Sequence, residues 1–135
     1  MNTLARYLEV IVDPTFDDFH KNSDSFRHAY LTCVAIFHAV ERAAEEDGRS
    51  AATMRQIWGR ESIEFKLVDI VAHHFKHVRS SGEKRRTKGP SLPTHLAVGF
   101  DEAGEMMNLR NLYFAIRDAV RFVHQKAGTI HPDLP

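Results

Sequence analysis

The sequence has very little cysteine and no long hydrophobic run. Cys33 is the single cysteine among 135 residues, so an intrachain disulfide is excluded, which is typical of proteins from reducing compartments. No hydrophobic run approaches the roughly 20 residues that a membrane-spanning helix needs. The N-terminus also lacks the basic and hydrophobic regions of a signal peptide. We therefore expect a cytoplasmic protein that does not bind membranes.

Neither sign of charge is in excess, and the common ligand-binding motifs are missing. Lys and Arg total 18 and Asp and Glu total 18, which gives a formal net charge of zero. Proteins that coat nucleic acid or anionic membranes are usually strongly basic, so this balance argues against that class. Neither a glycine-rich phosphate loop nor a GxSxG nucleophile motif occurs. We therefore expect no cofactor, and a non-enzyme is favoured over an enzyme.

Hydrophobic residues recur at spacings of three and four, which is the period of an amphipathic helix. We predict long helices over 24–47, begun by Ser23 or Asp24, over 60–79 and over 111–126, with short helices near the N-terminus and over 51–58. The Asp13-Pro14 pair is expected to end the short N-terminal helix and to begin another, because Asp caps helices and Pro suits their first turn. Residues 1–135 should thus form a mainly α, single-domain helical bundle. The expected inward-facing residues are Phe26, Tyr30, Cys33, Phe37, Val40 and Ala44 in the first long helix and Leu112, Ile116, Ala119, Val120 and Val123 in the last.

The segment between the last two long helices has a different pattern. Residues 80–90 contain no hydrophobic side chain and are predicted to form an exposed loop. Beyond it, hydrophobic and small residues alternate from Leu96 to Phe100, which predicts a short β-hairpin near residues 96–109, with helix as the alternative over 102–110. The loop has no aromatic residue to stack on bases, so a solvated loop is favoured over a phosphate-binding one. Its candidate nucleic-acid contacts are Lys84, Arg85, Arg86 and Lys88.

Three residues on the predicted helix over 60–79 form a candidate metal site. Asp69, His73 and His77 are spaced by four, so they share one helix face. Two imidazoles spaced in this way can bind zinc, with the carboxylate as a third ligand. Lys66 and Lys76 lie on the same face and would repel a cation. The alternative interpretation is therefore a solvated polar face on which Asp69 pairs with Lys66 or His73.

A second candidate site lies on the predicted last helix, where Arg117-Asp118 is followed by His124. This spacing resembles the catalytic signature of HEPN domains, which are small, often dimeric helical bundles, many of them metal-independent endoribonucleases. The resemblance implies that Arg117 neutralises phosphate charge and that His124 transfers a proton. The alternative is that both residues are ordinary charges at the border of the hydrophobic face.

Two further stretches carry a second resemblance. Residues 26–30 with 37–40, and 67–72 with Lys76-His77, are similar to segments of a loose group of uncharacterised small helical proteins of bacteria. In that group a helix ending in Lys-His is followed by a basic loop, a short hairpin and a last helix. The resemblance implies the order of elements and a bacterial origin, but no activity.

The sequence as a whole favours a non-enzymatic interaction or regulatory module that forms a homodimer or binds a protein partner. An HEPN-like endoribonuclease or RNA-binding protein is the alternative. The first interpretation depends on aromatic residues near predicted helix ends, because a small domain is not expected to bury all of them. These residues are Tyr7, Phe16, Phe19, Trp58, Phe100, Tyr113 and Phe114.

Overall fold

The stretches with helical spacing are helices in the computed structural model, which describes residues 3–76 and 108–134. Helix accounts for 84% of these residues, and no β-strand occurs among them, so the predicted mainly α bundle is confirmed. The predicted hairpin lies outside the described residues, except that Leu109 begins the last helix. The elements are α1 (Thr3–Tyr7), a π-helical turn (Leu8–Val12), α2 (Asp13–Lys21), α3 (Phe26–Asp47), α4 (Ala51–Glu61), α5 (Ile63–Lys76) and α6 (Leu109–Ala127).

Helices α3, α5 and α6 pack against one another in pairs, and their buried residues belong to one hydrophobic core cluster. The five residues predicted to face inward on α6 are all buried. The stripe predicted for α3 is partly wrong, because Phe26 is exposed and the buried face includes Ala29, Ala35 and Ala39. Helix α3 contacts α1, α2, α4, α5 and α6, and small side chains allow neighbouring helices to approach it on several sides.

Polar side chains define where the helices begin. Ser25, not Ser23 or Asp24, caps α3 by accepting the His28 backbone N–H at 3.2 Å. Asn108 caps α6 in the same way, so this helix begins at Leu109, two residues before the predicted start. Both α3 and α6 end at a glycine with positive φ, which fits a residue without a Cβ atom.

The predicted break at Asp13-Pro14 is wrong, because the π-helical turn carries the helix past the proline. The Asp13 backbone N–H donates to the Leu8 carbonyl five residues earlier, and Asp13 itself has helical φ and ψ. In a regular α-helix the Pro14 ring would clash with the carbonyl four residues before it. The wider π turn relieves that clash, and residues 3–21 therefore form one continuous helical run.

The described aromatic side chains are buried to a greater extent than the sequence suggested. Phe16, Phe19 and Trp58 lie in the core, whereas Tyr7 and Tyr113 are partly buried against it. Burial also raises the pKa of the Cys33 thiol far above its usual range, which makes this side chain an inert part of the core. The large hydrophobic residues that stay exposed are mostly aliphatic: Val10, Ile11, Phe26, Leu31 and Ile130.

Candidate functional site

Helix α2 presents a polar edge to α6 and to the segment that follows it. Val12, Phe16 and Phe19 point into the core, whereas Asp13 and Asp17 lie one turn apart on the neighbouring face. Both carboxylates bond to side chains more than a hundred residues away in sequence, as their hydrogen bonds show.

The first of these pairs joins α2 to α6. His124 Nε2 lies 2.8 Å from Asp13 Oδ1, and His124 Nδ1 lies 2.8 Å from the Thr129 hydroxyl. An ionised carboxylate accepts hydrogen bonds and cannot donate them, so the Nε2 of His124 carries the proton. Both ring nitrogens of His124 thus have partners within the fold, and the residue is only 5% exposed.

The second pair joins α2 to the C-terminal segment. His131 Nε2 lies 3.1 Å from Asp17 Oδ1, and His131 Nδ1 accepts the backbone N–H of Asp133 at 3.0 Å. A turn with Pro132 at its second position closes here, because the Leu134 N–H donates to the His131 carbonyl. Both ring nitrogens of His131 thus have partners within the fold, and the residue is only 2% exposed.

The two pairs touch each other through their rings. The rings of His124 and His131 meet edge to face with centroids 6.0 Å apart, and His131 makes a similar contact with Phe16 at 5.8 Å. We call Asp13, Asp17, His124 and His131 the histidine clasp, because together they fix α6 and the segment after it to α2.

The clasp has the residue types of a catalytic or metal site. Its hydrogen bonds, however, connect one part of the fold to another, which is a structural role. A general base needs one ring nitrogen free to reach a substrate, and a metal ligand needs an unprotonated nitrogen. Asp17, His131 and Asp133 do bring ligand atoms within 4.8 Å of one another. However, His131 Nδ1 already accepts the Asp133 N–H, and Nε2 then bears the proton that is donated to Asp17. This arrangement does not fit a metal ion.

The two residues of the predicted nuclease pair make contacts with different partners. Arg117 Nε bonds to Asp118 at 3.3 Å, and its guanidinium lies 4.9 Å from the centre of the Phe114 ring. His124 instead points towards α2, and in the described part of the chain no hydrogen bond joins it to Arg117. The interpretation of His124 as a residue at the border of the surface is wrong, because the clasp buries it.

Asp69 and His73, the described members of the predicted metal site, lie together. Asp69 is 8% exposed, and its carboxylate contacts Arg55 Nε and His73 Nδ1, each at 2.8 Å. The alternative interpretation is confirmed in its pairing of Asp69 with His73, but the solvated face is wrong for Asp69, since Arg55 of α4 covers it. An arginine on the carboxylate also disfavours a cation there. His77 and the basic residues Lys84, Arg85, Arg86 and Lys88 lie outside the described residues, so the three-ligand zinc site stays a prediction.

Sequence reasoning missed Asp13, Asp17 and His131. The spacing of four between the two aspartates was visible, but Asp13 was interpreted as a helix cap. His131 follows the glycine that ends α6, in a segment without helical periodicity. No local pattern connects residues 13 and 17 with residues 124 and 131.

Comparisons with protein-family models, with curated proteins and with solved structures gave no match. Among the described helices, none has the length and hydrophobicity required to cross a bilayer. The function must therefore be argued from the geometry of the side chains.

Proposed function

We propose that this protein is a non-enzymatic interaction module that works as a homodimer. The observation that carries the proposal is the set of exposed aliphatic residues Val10, Ile11 and Leu31, which are 47%, 42% and 48% exposed. Exposed hydrophobic side chains that cluster on a folded domain mark surfaces for partners. The histidine clasp supports the non-enzymatic part, because it occupies both ring nitrogens of two buried histidines.

Sedimentation velocity over a range of protein concentrations tests this proposal. A homodimer module should sediment as a dimer whose population falls on dilution, because association depends on protomer concentration. A strict monomer at the highest attainable concentration would contradict the homodimer.

The alternative function is an HEPN-like, metal-independent endoribonuclease or an RNA-binding protein. It is favoured by the half-exposed Arg117 and Arg121, which share one carboxylate, that of Asp118. Two guanidinium groups on one aspartate leave positive charge that can contact a phosphate.

Incubation of single-stranded RNA with the protein in EDTA separates the two functions. The interaction module should leave the RNA uncut. Cleavage that is lost in Arg117→Ala and retained in the matched control Arg110→Ala would establish the nuclease instead. Arg117 is the better residue for this assay, because replacement of the buried His124 is expected to disturb the fold. A gel shift without cleavage, weakened by Arg117→Ala and by added salt, would identify an RNA-binding protein.

A further inference from the structure

The outer side of the first helical run carries a row of exposed residues at a spacing of four. Arg6, Val10, Pro14 and Asp18 are all exposed, and we call this row the N-terminal ridge. In a regular α-helix, positions four apart drift by about 40° with each step, because a turn holds 3.6 residues. The π-helical turn over Leu8–Val12 holds more residues per turn, which keeps the four positions closer to one line.

Two further exposed aliphatic residues, Ile11 and Leu31, lie beside the ridge, where the first helical run packs against α3. Tyr7 donates to the Ala35 carbonyl at 2.7 Å, and Thr32 donates to the Thr15 carbonyl at 3.4 Å. Ile11 lies on the first helical run midway between Tyr7 and Thr15, and Leu31 lies one turn before Ala35 on α3. Val10, Ile11 and Leu31 thus lie on one side of the molecule, around the centre of the ridge.

The two ends of the ridge have opposite charges that the fold leaves unpaired. Arg6 stands at one end and Asp18 at the other, and within the described part of the chain neither side chain forms an ion pair. A row that reads basic, hydrophobic, hydrophobic, acidic is complementary to its own reverse. Two such rows related by a twofold axis bring unlike charges together at both ends.

We propose that two copies of this chain pair through the N-terminal ridge in antiparallel orientation, with Arg6 of each copy facing Asp18 of the other. The inference rests on the proposed homodimer and names its surface. Val10, Ile11, Pro14 and Leu31 form the hydrophobic centre of this interface. A second copy fits better than an unrelated partner, because the ridge carries both the basic and the acidic residue that pair across the interface. The zero net charge of the chain also means that two copies do not repel each other.

Charge reversal tests the antiparallel register. Arg6→Glu and Asp18→Lys should each raise the dimer dissociation constant about tenfold, because each places like charges at both ends of the interface. The double variant should restore the dissociation constant to within about twofold of wild type. Within one chain the two positions are about 18 Å apart along the helix, beyond the Debye length at physiological salt, so the rescue must occur between copies.

Two further variants complete the experiment. Val10→Glu should abolish the dimer, whereas the matched control Arg60→Glu, at an exposed arginine of α4, which packs against α3 and α5, should leave it unchanged. Circular dichroism of each variant shows whether it is folded. Dimers that are insensitive to Val10→Glu and to both charge reversals would overturn the ridge but leave the homodimer standing. Single variants that weaken the dimer without rescue in the double variant would overturn the antiparallel register, and a monomeric wild type would overturn both proposals.

Discussion

Two clusters in this protein pair histidine with aspartate, and they differ in how far their partners lie apart along the chain. Asp69 and His73 are one turn apart on α5, and Arg55 joins them from the adjacent helix α4. The histidine clasp instead joins residues separated by 111 and 114 positions. The histidines of both clusters are largely buried, so their ring nitrogens must find partners within the fold, whereas the Asp17 side chain is 46% exposed.

The comparison shows how similar residues serve different parts of the fold. The α5 cluster stabilises a helix and its neighbour in sequence, which would form contacts in any compact arrangement of α4 and α5. The clasp fixes the C-terminal segment to the N-terminal helical run, which local structure alone does not bring together. We therefore expect the clasp to contribute more to the stability of the whole fold.

The largest effect should come from His124→Ala. The change removes a buried ring and leaves the Asp13 carboxylate without its partner, so the free energy of unfolding should fall by about 3 kcal/mol. Urea unfolding followed by circular dichroism measures it. His38→Ala is the matched control, because His38 pairs with Glu41 at the surface, and it should change the free energy by less than about 0.5 kcal/mol.

Asp69→Ala should have a smaller effect, of about 2 kcal/mol, in the same urea experiment. It removes the carboxylate that Arg55 and His73 share, but His73 keeps the Asp69 backbone carbonyl at 2.8 Å, and Arg55 is partly exposed so that water can replace part of its lost bond. A loss greater than that of His124→Ala would reverse the ranking of the two clusters. Asp118→Ala, which breaks the more exposed ion pairs with Arg117 and Arg121, is the control and should cost less than Asp69→Ala.

The smallest effect on stability is expected at Glu46, whose side chain caps the N-terminus of α1. Its carboxylate accepts the Leu4 backbone N–H at 2.9 Å and the Thr3 hydroxyl at 2.7 Å. Slight burial raises the pKa of Glu46, but the hydrogen bonds from Leu4 and Thr3 outweigh it and hold the pKa below its ordinary value of 4.5. A carboxyl whose pKa is lowered by folding stabilises the protein above its unfolded pKa, and this contribution is lost as the pH falls through the folded pKa.

Glu46→Gln should therefore cost about 0.5 kcal/mol at neutral pH, and the difference from wild type should shrink below pH 4.5. Thermal unfolding at a series of pH values measures it. Glu45→Gln, at the neighbouring exposed glutamate, is the matched control and should change the stability at neutral pH by less than Glu46→Gln does. A difference for Glu46→Gln that grows on acidification would show that the hydrogen bonds to Leu4 and Thr3 are not the cause.

The parts of the structure that depend on local periodicity were predictable from the sequence. The inward face of α6 and the pairing of Asp69 with a residue one turn away follow from positions three and four apart. The continuation of the helix through Pro14 was not predictable, because the π-helical turn that makes room for the proline ring has no simple sequence signature. The burial of His124 was also missed, since its position at the edge of the hydrophobic stripe does not show that Asp13 covers it.

A double-mutant cycle on Asp13 and His124 tests most directly whether the clasp stabilises the fold through the contact between these two side chains. Asp13→Ala, His124→Ala and the double variant are compared with wild type by urea unfolding. If each residue acts through the other, the double variant should lose less stability than the sum of the single variants, with a coupling of at least about 1 kcal/mol. Single losses that add to within about 0.3 kcal/mol would contradict the clasp, because the two side chains would then stabilise the protein independently.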